Sequence, residues 1–138
     1  MDEALIADGK RCPVCFKGRL SRGVKRVTLE YKGRAYEEEQ PGDWCDTCGE
    51  GILNGADLEA TEAAWLAFRE RVDKEEGRDL ARIRRKLKLT QAEAARLTCG
   101  AKQTFAEYER GVARPLPAVT NLFKLLDKHP EMLKDLKV

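Results

Sequence analysis

At 138 residues the chain has room for one ordinary domain or two very small ones. No apolar run approaches the ~18–20 residues that a membrane-spanning helix needs, so a helical membrane protein is excluded and a soluble chain is expected. The net charge of +2 hides a division: residues 1–76 carry 12 Lys/Arg against 17 Asp/Glu, a net of −5, and residues 77–138 carry 14 against 7, a net of +7. An acidic half joined to a basic half points to two partners of opposite character. The basic half suits nucleic acid, and the acidic half suits a basic protein.

Residues 1–10 show no periodicity, and a loose start with a short turn of helix over Ala4–Ala7 is expected. The first chemical signal follows at once. Cys12-Pro-Val-Cys15 and Cys45-Asp-Thr-Cys48 are two Cys-x2-Cys couplets separated by 29 residues. Four thiolates from two such turns can close a tetrahedron around Zn²⁺ with Zn–S of about 2.3 Å. Gly18 and Gly49 follow the couplets, where a knuckle turn often needs positive φ. A thioredoxin-type redox site uses one couplet on a βα turn rather than two in Gly-rich turns. Disulfides need an oxidising compartment, and no signal peptide precedes Cys12. Cys12, Cys15, Cys45 and Cys48 are therefore the expected ligands of one Zn²⁺ per chain, in a cytoplasmic protein. Four protein ligands leave no open coordination position, so the metal reads as structural.

Between the couplets, Val24, Val27, Leu29 and Tyr31 run with rough alternation to Lys32-Gly33, and Ala35 and Tyr36 lead on to Gln40. The pattern predicts a β-hairpin turning near Lys32-Gly33 that carries the second couplet back to the first. Glu37, Glu38 and Glu39 read as a solvated face. Asn54 and Asp57 are candidate N-caps, and Leu58, Trp65, Phe68 and Val72, with Thr61 between, fall on one helical face. This predicts a connecting helix over about 57–75, ended by Gly77 as a C′ residue and domain boundary.

Residues 79–138 read as all helix. Leu80, Ile83 and Leu87 share one face, and Thr90-Gln91-Ala92-Glu93 is a capping box opening a short helix over about 91–98. Cys99-Gly100-Ala101 forms a turn, and 102–110 a second short helix ended by Gly111. A helix over about 117–128 and a last short one over about 131–137 follow. Two short helices joined by a Gly-containing turn match helix-turn-helix spacing. The second would place Lys102, Gln103, Thr104 and, one turn on, Glu107 at base edges. Lys can pair with guanine, Gln with adenine, Thr with a thymine methyl, and Glu with cytosine N4. A salt bridge to a nearby Arg is the structural alternative for Glu107. Gln91 could hold a phosphate at a helix N-terminus. Arg84, Arg85, Lys86, Lys88, Arg110 and Arg114 are candidate phosphate contacts. Cys99, with no partner couplet, reads as a small buried turn residue. No nucleophilic triad, paired-carboxylate motif or phosphate-cradling glycine loop is present, which argues against an enzyme.

With both halves placed, the chain resembles the MqsA (YgiT-type) antitoxin family. The resemblance rests on the two couplets, the helical connector, Ile83-Arg84-Arg85-Lys86-Leu87 through Leu89-Thr90-Gln91, Phe105-Ala-Glu-Tyr108-Glu109-Arg110-Gly111 and Leu126-Asp127-Lys128-His129-Pro130-Glu131. The Leu-Thr-Gln and Tyr-Glu-Arg-Gly pieces are shared widely by Xre/Cro-like helix-turn-helix proteins; their combination with two couplets is specific. The resemblance implies an α+β chain. A small zinc-binding β-hairpin domain with a connecting helix occupies residues 1–76, and an all-α five-helix Xre/Cro-like domain occupies 77–138. It implies that the first binds a cognate toxin, typically a small basic mRNA interferase. The second is implied to form a homodimer and to repress its own operon at a palindromic site in double-stranded DNA. Glu107 departs from relatives that carry Arg at this position. Two other readings stay open: a stand-alone zinc-containing regulator without a toxin, and a thiol oxidoreductase using one couplet.

Overall fold

The computed structural model describes residues 9–136, so the expected turn of helix over Ala4–Ala7 lies outside it. Strands β1 (Leu20–Tyr31), β2 (Arg34–Cys45) and β3 (Gly51–Ile52) are followed by helices α1 (Gly55–Lys86), α2 (Gln91–Leu97), α3 (Lys102–Arg110) and α4 (Pro117–Lys128). A 3-10 helix over Pro130–Asp135 ends the series in place of the expected short helix over 131–137. The architecture is α+β. The described residues form two compact units, one ending at Phe68 and the other beginning at Arg69.

The first unit is built on the hairpin. Lys32 and Gly33 both take positive φ, 52° and 76°, the pairing a two-residue turn needs to follow the twist of its strands. This sets a register that pairs Tyr31 with Arg34 and runs without a break to Leu20 opposite Cys45. The strands are longer than their apolar residues suggest because the register, not hydrophobicity, extends them. The short β3 pairs Asp43 and Trp44 with Ile52 and Gly51, in the antiparallel order β1-β2-β3. One face of the hairpin packs on the start of α1, where Tyr36 stacks on Phe68 at 4.7 Å and Trp65 lies 5.9 Å from both rings.

Polar contacts hold α1 to that sheet. Asn54 and Asp57 cap the helix reciprocally: Asn54 Oδ1 accepts from the Asp57 N–H at 2.8 Å, and Asp57 Oδ2 accepts from the Asn54 N–H at 3.1 Å. Arg22 on β1 reaches two buried carboxylates, Asp43 at 2.8 Å and Asp57. Buried Gln40 donates to the Asp57 carbonyl at 2.9 Å and accepts from the Thr61 hydroxyl at 3.0 Å. Of the expected apolar stripe, Phe68 and Val72 are buried, but Leu58 is 55% exposed. The acidic run also departs from expectation. Glu37 and Glu39 are exposed, while Glu38 turns inward and its Oε1 is buried without a hydrogen-bond partner.

The helix expected to stop at Gly77 does not stop. α1 continues to Lys86, so the connecting helix and the first helix of the basic half are one element, and the described residues hold five helices in all. Gly77 is there for space: a Cβ at this position would lie 2.4 Å from the Tyr108 carbonyl oxygen. A glycine chosen for close approach carries the same letter as a glycine that ends a helix. The second unit's core gathers Leu80, Ile83 and Leu87 of α1 with Ala94, Ala95, Phe105, Tyr108, Val119, Phe123 and Leu126. Phe105 is fully buried, 5.5 Å from the Phe123 ring. Cys99 is half-buried against this core, with its thiol 3.5 Å from the Ala101 carbonyl.

Candidate metal centre and nucleic-acid interface

The long hairpin register brings the couplets together. The Sγ atoms of Cys12, Cys15, Cys45 and Cys48 all lie within 4.8 Å of one another. Cys12–Cys48 and Cys15–Cys45 are each 3.7 Å apart. A tetrahedron with metal–sulfur bonds of about 2.3 Å has edges of roughly 3.8 Å, so the spacing fits a single ion of zinc's size.

The local backbone explains how two-residue spacers achieve this. The Val14 N–H points at Cys12 Sγ (3.4 Å) and the Gly18 N–H at Cys15 Sγ (3.3 Å). In the second couplet the N–H groups of Thr47 and Cys48 point at Cys45 Sγ at 3.3 and 3.4 Å. These donors favour thiolate over thiol. The Gly18 and Lys17 backbone N–H groups hold the Cys15 thiol down at about 6, and the Cys48 and Thr47 N–H groups lower Cys45. Cys48 is pushed up to about 12: the Glu50 N–H lowers it, but desolvation and the neighbouring sulfurs outweigh that. Four crowded sulfurs do not all ionise unaided; a divalent cation between them removes the conflict, because each thiolate then faces positive charge.

The two glycines behind the couplets act differently. Gly49 takes φ +78°, as expected. Gly18 does not; the left-handed position of the first knuckle is held by Phe16 at φ 63°. Gly18 is required because a Cβ there would lie 2.3 Å from Cys45 Sγ. The remaining core of this end is small, with Leu20 buried and Ile52 half-buried beside the cysteines.

In the second unit α2 and α3 form a tight pair. Thr90 caps α2 by accepting from the Glu93 N–H at 3.1 Å, and Glu93 Oε1 accepts from the Thr90 N–H at 2.9 Å. α3 turns Phe105 and Tyr108 inward. Lys102, Gln103 and Arg110 are exposed; Thr104 and Glu107 are half-buried. Gln103, Glu107 and Arg110 share one helical stripe by spacing. Glu107 makes no ion pair among the described residues, so the salt bridge considered for it is not formed. Gln91 is not free: its amide donates to Glu109 Oε1 at 3.0 Å. Glu109 also holds Arg84 at 2.5 and 3.1 Å, and that guanidinium reaches on to the Leu89 carbonyl.

These contacts sort the candidate phosphate ligands. Arg84 is paired with Glu109, Lys86 with Asp127 at 2.9 Å, and Arg114 with Asp73 at 3.5 Å. Arg82 and Lys86 together hold the Asp127 carboxyl down at about 2. Arg85, Lys88 and Arg110 are exposed and make no ion pair among the described residues. An open cleft of about 520 Å³ is lined by Arg78, Ala81 and Arg85 of α1, Gln91, and Ala106, Glu109 and Arg110 of α3. Arg78 is the cation of this lining that sequence reasoning missed. Its signal was the seven-residue spacing to Arg85 on one helical face, hidden by reading Gly77 as a helix end.

The chain is similar to known proteins over most of its length. The profile of a family described as the antitoxin component of a bacterial toxin–antitoxin system, MqsA, matches residues 10–137. The antitoxin MqsA of Escherichia coli (strain K12) is 35% identical over 130 residues, covering 92% of this chain and 99% of its own. A solved structure of the N-terminal domain of E. coli MqsA is 33% identical, covering 46% of this chain and 96% of its own, with a TM-score of 0.43.

Proposed function

The chain belongs to the MqsA antitoxin family, and from that premise we propose how its two ends divide an antitoxin's work. It is an antitoxin of a bacterial toxin–antitoxin system, and not an enzyme. Residues 1–76 hold one structural Zn²⁺ on Cys12, Cys15, Cys45 and Cys48 and bind the cognate toxin, a small basic mRNA interferase. The tetrahedral sulfur spacing supports the metal, and the net charge of −5 supports a basic partner. Residues 77–138 form an Xre/Cro-like helix-turn-helix domain that dimerises and represses the antitoxin's own operon at a palindrome, in the cytoplasm. α3 is the recognition helix. Lys102, Gln103, Thr104 and Glu107 meet base edges, and Gln91 and Arg110 lie beside the backbone. The exposed start of α3 and the buried Phe105 and Tyr108 behind it support that orientation.

One observation carries the reading. The family match runs through both couplets and the α2–α3 pair in one chain, so neither a lone zinc finger nor a lone helix-turn-helix accounts for it. The test is affinity purification of the tagged chain from its host with mass spectrometry of stoichiometric partners. A small basic protein that co-purifies, and cleaves RNA once freed, is expected. A preparation holding only this chain and DNA would favour a stand-alone regulator.

A further inference from the structure

The basic half carries twice as many cations as acids, and three of its seven arginines are already engaged in ion pairs. Arg82 pairs with Asp79 and Asp127, Arg84 with Glu109, Arg114 with Asp73. Arg78, Arg85 and Arg110 are different: all three are exposed, none has an ion-pair partner among the described residues, and all three line the same cleft. Arg78 and Arg85 stand seven residues apart on α1, with Ala81 between them. Ala106 and Arg110 face them from α3. The two alanines keep the floor low, so the guanidinium groups stand around a depression. The one acid in the lining, Glu109, is occupied by Arg84 and Gln91. Three uncompensated arginines around one open space call for an anion. Guanidinium, planar and forked, suits the oxygens of a phosphodiester in particular.

We propose that Arg78, Arg85 and Arg110 form a clamp for the sugar-phosphate backbone of duplex DNA, at the wall of the groove that α3 enters. The proposal rests on the DNA-binding reading and adds the backbone contact that fixes the protein's register. Length supports it. From Lys102 to Arg110 α3 rises about 12 Å, and the major groove is about 12 Å wide. If the start of α3 lies over base edges, its last turn reaches the phosphates flanking them. Arg110 ends the stripe begun by Gln103, and Arg78 and Arg85 extend the positive surface beyond the groove onto α1. Backbone contacts of this kind position the protein and carry no sequence information of their own.

The test needs no known operator. The full-length zinc-loaded protein is titrated onto a random-sequence duplex of about 30 base pairs, by fluorescence anisotropy, over a range of salt. Wild type, Arg78→Gln/Arg85→Gln, Arg78→Lys/Arg85→Lys and Lys124→Gln are compared. Lys124 is an exposed cation on α4 outside the cleft. Each lost phosphate contact removes about 0.9 from the slope of log K against log salt, so the Gln pair should flatten the slope by about two. Its affinity near 0.1 M salt should fall by tens of fold. The Lys pair should recover the slope, Lys124→Gln should leave it unchanged, and thermal melting of the Gln pair should match wild type. A steep wild-type slope that the Gln pair leaves intact overturns the clamp alone. An equal drop in Lys124→Gln also overturns it, because charge would then act diffusely. Absence of salt-dependent duplex binding by wild type would remove the DNA-binding reading itself. Stronger competition by single-stranded RNA of the same length would overturn the assignment to duplex.

Discussion

Gly18 and Gly77 show how a residue with no side chain can be the least replaceable one in its neighbourhood. At Gly18 a Cβ would collide with Cys45 Sγ, so alanine there would push a ligand out of the sulfur cluster. At Gly77 two effects oppose one another. Alanine is the better helix former by about 1 kcal/mol in a helix interior, and α1 is helical on both sides of this position. Its Cβ, however, would lie 2.4 Å from the Tyr108 carbonyl and 2.8 Å from the Glu109 carbonyl, and backbone at a helix end cannot rotate aside as a flexible side chain does. Overpacking costs of about 1–3 kcal/mol exceed the propensity gain. Gly77→Ala should therefore lower the stability of the helical unit by about 1–2 kcal/mol, read as a fall in the melting temperature followed by far-UV circular dichroism. A rise in melting temperature would mean that Gly77 is a propensity defect after all.

The elements were legible in the sequence to different degrees, and for physical reasons. The turn at Lys32-Gly33, the box at Thr90 and Glu93, and helices α2, α3 and α4 stood where turn chemistry, capping and periodicity put them, because those signals act over three or four residues. The sulfur cluster was legible for the same reason: two couplets and a hairpin leave few alternatives. What escaped were features decided by contacts distant in sequence. The need for glycine at 77 within α1 is set by the Tyr108 carbonyl, the burial of Glu38 by the helix packed over the hairpin, and β3 by its pairing with Trp44. The Arg22 bridge belongs with these. Arg22 looks like one more surface cation, yet it joins Asp43 of β2, 2% exposed, to Asp57 of α1, 4% exposed. Removing one member of a buried ionic set leaves charge stranded, at a cost of about 3–5 kcal/mol when the site is dry. The Arg22 side chain is 37% exposed, so solvent softens this, and Arg22→Ala should cost about 2–4 kcal/mol. Both tryptophans, Trp44 and Trp65, lie in this unit, so urea unfolding followed by tryptophan emission measures it directly. A shift under about 0.5 kcal/mol would show that the two aspartates find water or each other without the arginine.

At the scale of the whole chain, the two units differ in what supports them. The helical unit has a contiguous core in which Ile83, Phe105 and Phe123 are essentially inaccessible to water. Among the described residues, the hydrophobic cluster at the cysteine end consists of buried Cys12, Leu20 and Cys45, with Cys15 and Ile52 at their side. So small a core does not offset the entropy of ordering two knuckles and the strand ends that carry them. A structural zinc site contributes about 10–16 kcal/mol of binding free energy, realised only when the ligands are assembled. Metal removal should therefore act on one end of the chain and spare the other. On titration with a strong chelator, tryptophan emission should shift to the red as Trp44, which neighbours Cys45, loses its hydrogen bond to the Gly23 carbonyl and its packing over Gly51. Toxin binding should disappear over the same chelator range, and Cys45→Ser should reproduce both effects without chelator. Duplex affinity and its salt slope should persist, because Arg78, Arg85, Arg110 and the exposed start of α3 belong to the unit whose core contains no metal ligand. Parallel loss of duplex binding and tryptophan packing would show that the metal supports both units and that the division of labour fails.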